Sequence, residues 1–150
     1  VSAFYLDTSC FLKLLHEEEG SAALDQYLAA HTRATMASSV ILEIEFHSAL
    51  RRRRIEGSMA KSDEEKIGLL WTAFLRTGSL WPLSADVRLA AVRLLREERL
   101  TGMVRSLDAI HLATHAVLLQ THPDSIFLTS DRKLRDAAKA MGFAYFDPTE

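Results

Sequence analysis

Apolar residues along this chain follow two different periods. Unbroken apolar runs at residues 4–6, 80–83, 126–129 and 143–146 are short and bounded by polar or turn-forming positions, so they predict buried strands. Residues 33–37 predict a weaker strand. Between these runs the apolar positions fall three and four apart, which is the spacing of a helix with one buried face. Helices are predicted from Thr8 or Ser9 through Leu15, over 21–31, from 40 to about 55, from 62 to about 76, over 85–99, from 107 to about 120, and over 131–141. Punctuation agrees with this division. Ser38 and Ser39 offer caps for the third helix and Ser106 for the sixth, and Ser62 with Glu65 three residues on reads as a capping box. Gly57, Gly78 and Gly142 stand where helices end, Gly102 lies in a loop, and Pro82 points to a sheet edge.

Strands alternating with helices give a parallel sheet covered on both faces, a three-layer α/β/α arrangement with four to five strands. Such sheets place their sites beyond the carboxyl ends of the strands, where the strand order reverses. If the chain winds outward in both directions from its first strand, the first and fourth strands are neighbours.

Composition narrows the function classes only slightly. The 150 residues and 48% hydrophobic content suit one domain spanning 1–150. A net charge of -2 excludes a global basic field but leaves room for a local patch. The single cysteine, Cys10, cannot form an internal disulfide, which points to a reducing, cytoplasmic setting. No apolar run approaches the roughly 18 residues of a membrane span, and no basic-plus-apolar targeting segment stands out.

The chemistry lies in four carboxylates. Asp7 follows the first strand and Asp131 the fourth, while Glu45 and Asp108 sit in mainly apolar helical stretches. Singly, each aspartate has a structural reading as a helix cap or as a first-turn acid meeting the dipole. Glu45 is mid-helix and has no such reading, although Glu43 lies only two residues away. Together, four acids near one another would repel, and a divalent cation with a taste for hard oxygen ligands, Mg²⁺ or Mn²⁺, removes that repulsion.

The segments "YLDTSCFLKLL", "SSVILEIEFHSALRR", "SLDAIHLATHA" and "LTSDRKLRDAAKAMGF" together resemble the PIN-domain ribonucleases, and within them the VapC-type toxins of bacterial toxin–antitoxin pairs. The resemblance implies that Asp7, Glu45, Asp108 and Asp131 bind one or two Mg²⁺ or Mn²⁺ ions and cleave RNA. It selects Glu45 because the family's glutamate precedes an Ala-Leu-Arg-like segment by four residues, as Ala49-Leu50-Arg51 does here. It further implies inhibition by a VapB-type antitoxin, whose carboxy-terminal segment enters a groove between helices, and a homodimer. In this scheme Asp7 and Asp131 are the most direct ligands. Thr8, Ser9, Thr129 and Ser130 either hold carboxylates or water, or act as caps.

Other features have plainer readings beside them. The run 51–54 is four arginines; Arg51 and Arg52 could contact RNA phosphates, or could simply meet a helix dipole at its carboxyl end. Arg105 is a further phosphate candidate. His111 and His115 have a zinc-compatible spacing, but no partner motif accompanies them, which favours packing. Trp71, Phe74, Trp81 and Leu89 read as core or partner contacts. Two other functions fit the pattern less fully. One is a nuclease of RNA maturation without a toxin role; the other is a phosphoacceptor signalling domain, for which a second strand-end aspartate is missing.

Overall fold

A computed structural model describes residues 1–97, 100 and 104–150. Its elements run β1 (Ala3–Leu6), α1 (Thr8–Leu15), α2 (Ser21–Ala29), β2 (Thr35–Ser39), α3 (Ile41–Ile55), α4 (Lys61–Thr77), β3 (Ser79–Trp81), α5 (Ala85–Arg96), α6 (Ser106–Leu118), β4 (Ile126–Leu128), α7 (Arg132–Ala140) and β5 (Tyr145–Phe146). The strands form one parallel sheet in the order β3-β2-β1-β4-β5. β1 is therefore central and lies beside β4, as outward winding predicts, and β3, followed by Pro82, is an edge.

Alternation along β1 builds two cores. Phe4 and Leu6 face a cluster made by α1 to α4, with Phe11, Leu24, Phe46, Ile67, Trp71 and Phe74 at its heart. Ala3 and Tyr5 face the opposite cluster, supplied by α5 to α7 through residues such as Val87, Leu112 and Leu134, with Phe127 of β4 beside them. All four β1 residues are buried, because a central parallel strand with helices on both faces has no solvent side. This is the three-layer α/β/α architecture.

Local chemistry moves several boundaries. β2 lies two residues later than its apolar character predicts. Ser38 and Ser39 are not caps but strand residues, paired with Leu80 and Trp81, and the Ser38 hydroxyl donates to the Leu6 carbonyl at 2.7 Å. The Ser62–Glu65 capping box does not form: α4 starts earlier, at Lys61, with Ala60 before it and no side-chain cap. Asp63 and Glu64 in its first turn meet the dipole instead. Ser106 is the first residue of α6 rather than its cap. α2 ends at Ala29 and α5 at Arg96; the predicted extension of α5 to Arg99 and the Gly102 loop lie outside the described residues. Gly57 and Gly142 follow α3 and α7 in left-handed conformation (φ 69° and 74°), which a side chain would resist. Trp71 and Phe74 are core, whereas Leu89 is exposed on α5 together with Val92 and Leu95. No helix among the described residues is long and apolar enough to cross a membrane.

His115 is fully buried against Tyr5, Phe127 and Phe143; its Nε2 meets the Ser125 hydroxyl at 3.0 Å and its Nδ1 has no partner among the described residues. Burial pushes its pKa from 6.5 down to about 4, partly opposed by the Ser125 contact. The unfolded chain therefore binds the proton first, and stability falls as pH drops from 6.5 towards 4. By this linkage, His115 removes up to about 3 kcal/mol across that window. Urea unfolding at pH 7 and pH 4.5 should show a smaller acid loss for His115→Leu than for the unsubstituted chain; equal losses would contradict it.

Candidate active site

Asp7 ends β1 and begins α1, so its side chain lies at the carboxyl edge of the central strand, where the strand order reverses. It is 1% exposed. Its Oδ1 accepts from the Cys10 amide at 2.9 Å, which makes Asp7 the cap of α1 in place of Thr8 or Ser9. The two hydroxyls of interest hold the carboxylate instead. Ser9 Oγ donates to Asp7 at 2.7 Å (Oδ1) and 2.9 Å (Oδ2), and Thr129 Oγ1 donates to Oδ2 at 2.7 Å. These hydroxyls are themselves held from the β4–α7 turn: the Ser130 amide donates to Ser9 Oγ at 2.9 Å, and the Asp131 amide to Thr129 Oγ1 at 3.0 Å. Thr129 thus ties Asp7 to Asp131.

Asp131 caps α7, accepting from the Lys133 and Leu134 amides at 2.8 and 3.3 Å. Both strand-end aspartates are therefore caps, each through Oδ1, which does not exclude a second role.

Glu45 joins them from α3. Its Oε1 accepts from the Thr8 hydroxyl at 2.7 Å and meets His111 Nε2 at 2.7 Å. Glu43 is exposed, so the turn of α3 separates the two acids by face. Asp108 is the outlier of the four. Its Oδ2 accepts from the Arg105 amide at 2.8 Å, closing the first turn of its own helix. It lies one turn from His111 on α6, on the side that His111 presents to Glu45.

His111 is the residue that sequence reasoning missed. Its spacing from His115 suits a zinc pair, yet the two rings have different partners. His111 meets Glu45, Thr8 at 3.3 Å and the Tyr5 hydroxyl at 2.8 Å, while His115 stays in the core. The available signal was its spacing, three residues after Asp108 on the same helical face.

The electrostatics ask for a cation. Burial raises the Asp7 pKa above its ordinary 3.8, against the opposing effects of His111, the Cys10 amide and the Thr129 and Ser9 hydroxyls. For Glu45 burial also acts upward, but the bond to and charge of His111, with the Thr8 hydroxyl, outweigh it and lower the pKa. Among the described residues no Lys or Arg pairs with any of the four carboxylates. A hard divalent cation fits this oxygen donor set. The same residues do not close on one another beforehand: among those described, no group of three or more His, Cys, Asp or Glu forms a ready cage. Partial ligation with retained water is the mode such a layout suits, and Mg²⁺ prefers it.

Beside Thr8 and Glu45 runs a groove of about 280 Å³, lined by Leu12, Ile44, Ser48, Ala49, Arg52 and Leu107. Arg52 thus borders the acids, while Arg51 lines a separate hollow further along α3 with Ile55 and Glu56. Arg105 is exposed at the start of α6, and Arg54 is paired with Glu64 at 3.1 Å.

The family model of the PIN domain matches residues 4–140. Ribonuclease VapC35 of Mycobacterium tuberculosis is 30% identical, over 96% of each chain. Ribonuclease VapC46 of the same organism is 36% identical, over 99% of this chain and 100% of its own. Among solved structures, VapBC2 from Rickettsia felis, bound to a DNA fragment from their promoter, superposes with TM-score 0.66 at 15% identity, covering 97% and 98% of the two chains. DNA-bound VapBC from Salmonella typhimurium superposes with TM-score 0.58 at 17% identity, covering 99% of each. At such identities these two structures speak for the fold alone.

A carboxylate kept ionised in a buried site destabilises the fold. Because the folded pKa of Asp7 lies above the unfolded value, its unfavourable contribution is absent below about pH 3.8 and grows as pH rises through the folded value. Asp7→Asn should therefore melt at or above the temperature of the unsubstituted chain at pH 7, with the gap narrowing in acid. A clear drop in melting temperature at pH 7 would contradict it.

Proposed function

This chain belongs to the PIN-domain family and is related to the VapC ribonucleases, and we propose that it is a Mg²⁺- or Mn²⁺-dependent endoribonuclease, the toxin of a VapBC-type pair. The observation that carries the reading is the buried, hydroxyl-held Asp7 carboxylate, without a Lys or Arg partner among the described residues, linked through Thr129 to the Asp131 amide and adjoining Thr8, which donates to Glu45. In this reading the 150 residues act as one PIN unit in the cytoplasm.

Asp7, Asp131, Glu45 and Asp108 would hold the ion or ions, Asp7 and Asp131 most directly. A bound divalent ion would supply charge neutralisation at the phosphate and an acidified water. The chain's own part is to keep the carboxylates ionised and aimed. Ser9 and Thr129 donate to Asp7 and the Thr8 hydroxyl to Glu45, so neither acid turns away, and at Asp7 these donors oppose the upward push of burial on its pKa. Arg52, beside Glu45 in the groove, would receive a flanking phosphate, with Arg51 and Arg105 further out. The cognate VapB-type antitoxin would inhibit by covering the acids. The exposed Leu89, Val92 and Leu95 on α5 are suited to an apolar contact in a homodimer.

RNA cleavage should require Mg²⁺ or Mn²⁺, cease with a chelator, and fall about 100-fold or more in Asp7→Asn, which is ~2.7 kcal/mol of barrier. Undiminished cleavage by Asp7→Asn without metal would overturn the mechanism.

In the Asp7→Asn background, where RNA survives, Arg52→Ala should weaken RNA binding and reduce the slope of log affinity against log salt by about 1. An unchanged slope would remove Arg52 from the RNA path.

A further inference from the structure

The two helical layers meet in polar contacts at His111, above the carboxyl edge of the sheet. Glu45 belongs to α3, in the layer of α1 to α4, and His111 to α6, in the other layer. Their side chains close to 2.7 Å over that edge. His111 is 2% exposed, and its second nitrogen meets the hydroxyl of Tyr5, a β1 residue buried on the α6 side. Tyr5, His111 and Glu45 thus form a continuous chain from the sheet interior to the candidate ion site.

The partners decide the arrangement of hydrogens. An ionised carboxylate only accepts, so the hydrogen on the Glu45 side belongs to His111 Nε2. The Tyr5 hydroxyl lies 2.8 Å from Nδ1 and donates to that nitrogen when it carries no hydrogen. Each end of the ring is satisfied, and the ring cannot flip without breaking both bonds. The Thr8 hydroxyl donates to the same oxygen, Oε1, at 2.7 Å. Both donors therefore converge on one oxygen of Glu45. Among the described residues no hydrogen bond is made to the other, Oε2.

We infer that His111 is a positioning residue: fixed in its Nε2–H form by Tyr5, it holds Oε1 of Glu45 and so commits Oε2 to a divalent cation or its bound water. The inference rests on the proposed metal-dependent function and assigns to it a residue that lies outside the four acids. A hydrogen bond behind a ligating side chain typically accounts for 10–100-fold in ion affinity or activity.

The test reads the ring before it reads any reaction. In the full chain labelled with ¹⁵N and free of metal, the His111 nitrogens should show hydrogen on Nε2 and an accepting Nδ1, and Tyr5→Phe should disturb that pattern. Mn²⁺ titrated calorimetrically, without RNA, should bind roughly 10–100-fold more weakly to His111→Leu. His111→Gln, whose amide can still donate to Glu45, should recover most of the affinity. With RNA, the Leu variant should lose kcat with KM kept within about twofold. Tyr5→Phe, which leaves the imidazole in place, should weaken Mn²⁺ binding about threefold or more and carries the test if His111→Leu fails to fold. A hydrogen on Nδ1, or Mn²⁺ affinity unchanged in a folded His111→Leu or in Tyr5→Phe, would overturn the inference. Asp7→Asn separates the two failures. If it abolishes Mn²⁺ binding while the His111 and Tyr5 variants do not, only the role of His111 falls. If it too binds Mn²⁺ normally, the metal-dependent reading falls and takes the inference with it.

Discussion

A negative charge held inside the edge of a parallel sheet is the constraint on which the rest of this molecule turns. Asp7 is 1% exposed, so water cannot solvate it, and the described residues supply it no Lys or Arg partner. What keeps it there is a set of neutral donors, one amide and two hydroxyls, each anchored in turn by the backbone. Such a set lowers the energy of the carboxylate without neutralising it. The remaining charge is what a bound cation would meet. The β4–α7 turn serves Asp7 as much as Asp131 does, because the amides of that turn orient the hydroxyls that orient Asp7.

The sheet explains why these parts meet. With β1 central and β2 and β4 on either side, the connections leave in opposite directions and open a space above the strand's carboxyl end. Strand-end residues Asp7 and Thr129 line that space directly. Glu45 and His111 arrive from helices on opposite faces and touch only because the sheet ends beneath them. One strand thus supplies the floor of both cores and, with its next residue, the centre of the site.

Much of this was legible from the pattern of residues. The parallel α/β class, the adjacency of β1 and β4 and the edge at Pro82 follow from apolar runs and punctuation, and motif resemblance singles out the four acids as candidates. What escaped reading was chemistry that depends on contacts far apart in sequence. Ser38 and Ser39 look like caps because serine before a helix usually is one. Only the pairing with β3 and the bond to Leu6 place them in a strand. Ser62 and Glu65 have the spacing of a capping box, but a helix start is chosen by the whole first turn, and α4 begins one residue earlier. The only local signature of His111 is its spacing of three from Asp108 on α6. Its partners, Tyr5 and Glu45, are 106 and 66 residues away, and no window of the sequence contains all three. Conversely, the three aspartates read as caps or first-turn acids do serve helix starts: Asp7 and Asp131 cap α1 and α7, and Asp108 accepts from the Arg105 amide.

That double duty bears on how such a protein could age in evolution. The oxygens that terminate α1 and α7 are those an asparagine would retain, while the charge is what it would lose. A descendant that exchanged these acids for amides would keep its helix starts, its sheet order and both cores. It would carry the same outline with its chemistry silenced, and selection on folding alone would not notice the difference. The architecture therefore records ancestry, and the charge state of a few atoms at one strand end records whether the inherited trade is still practised.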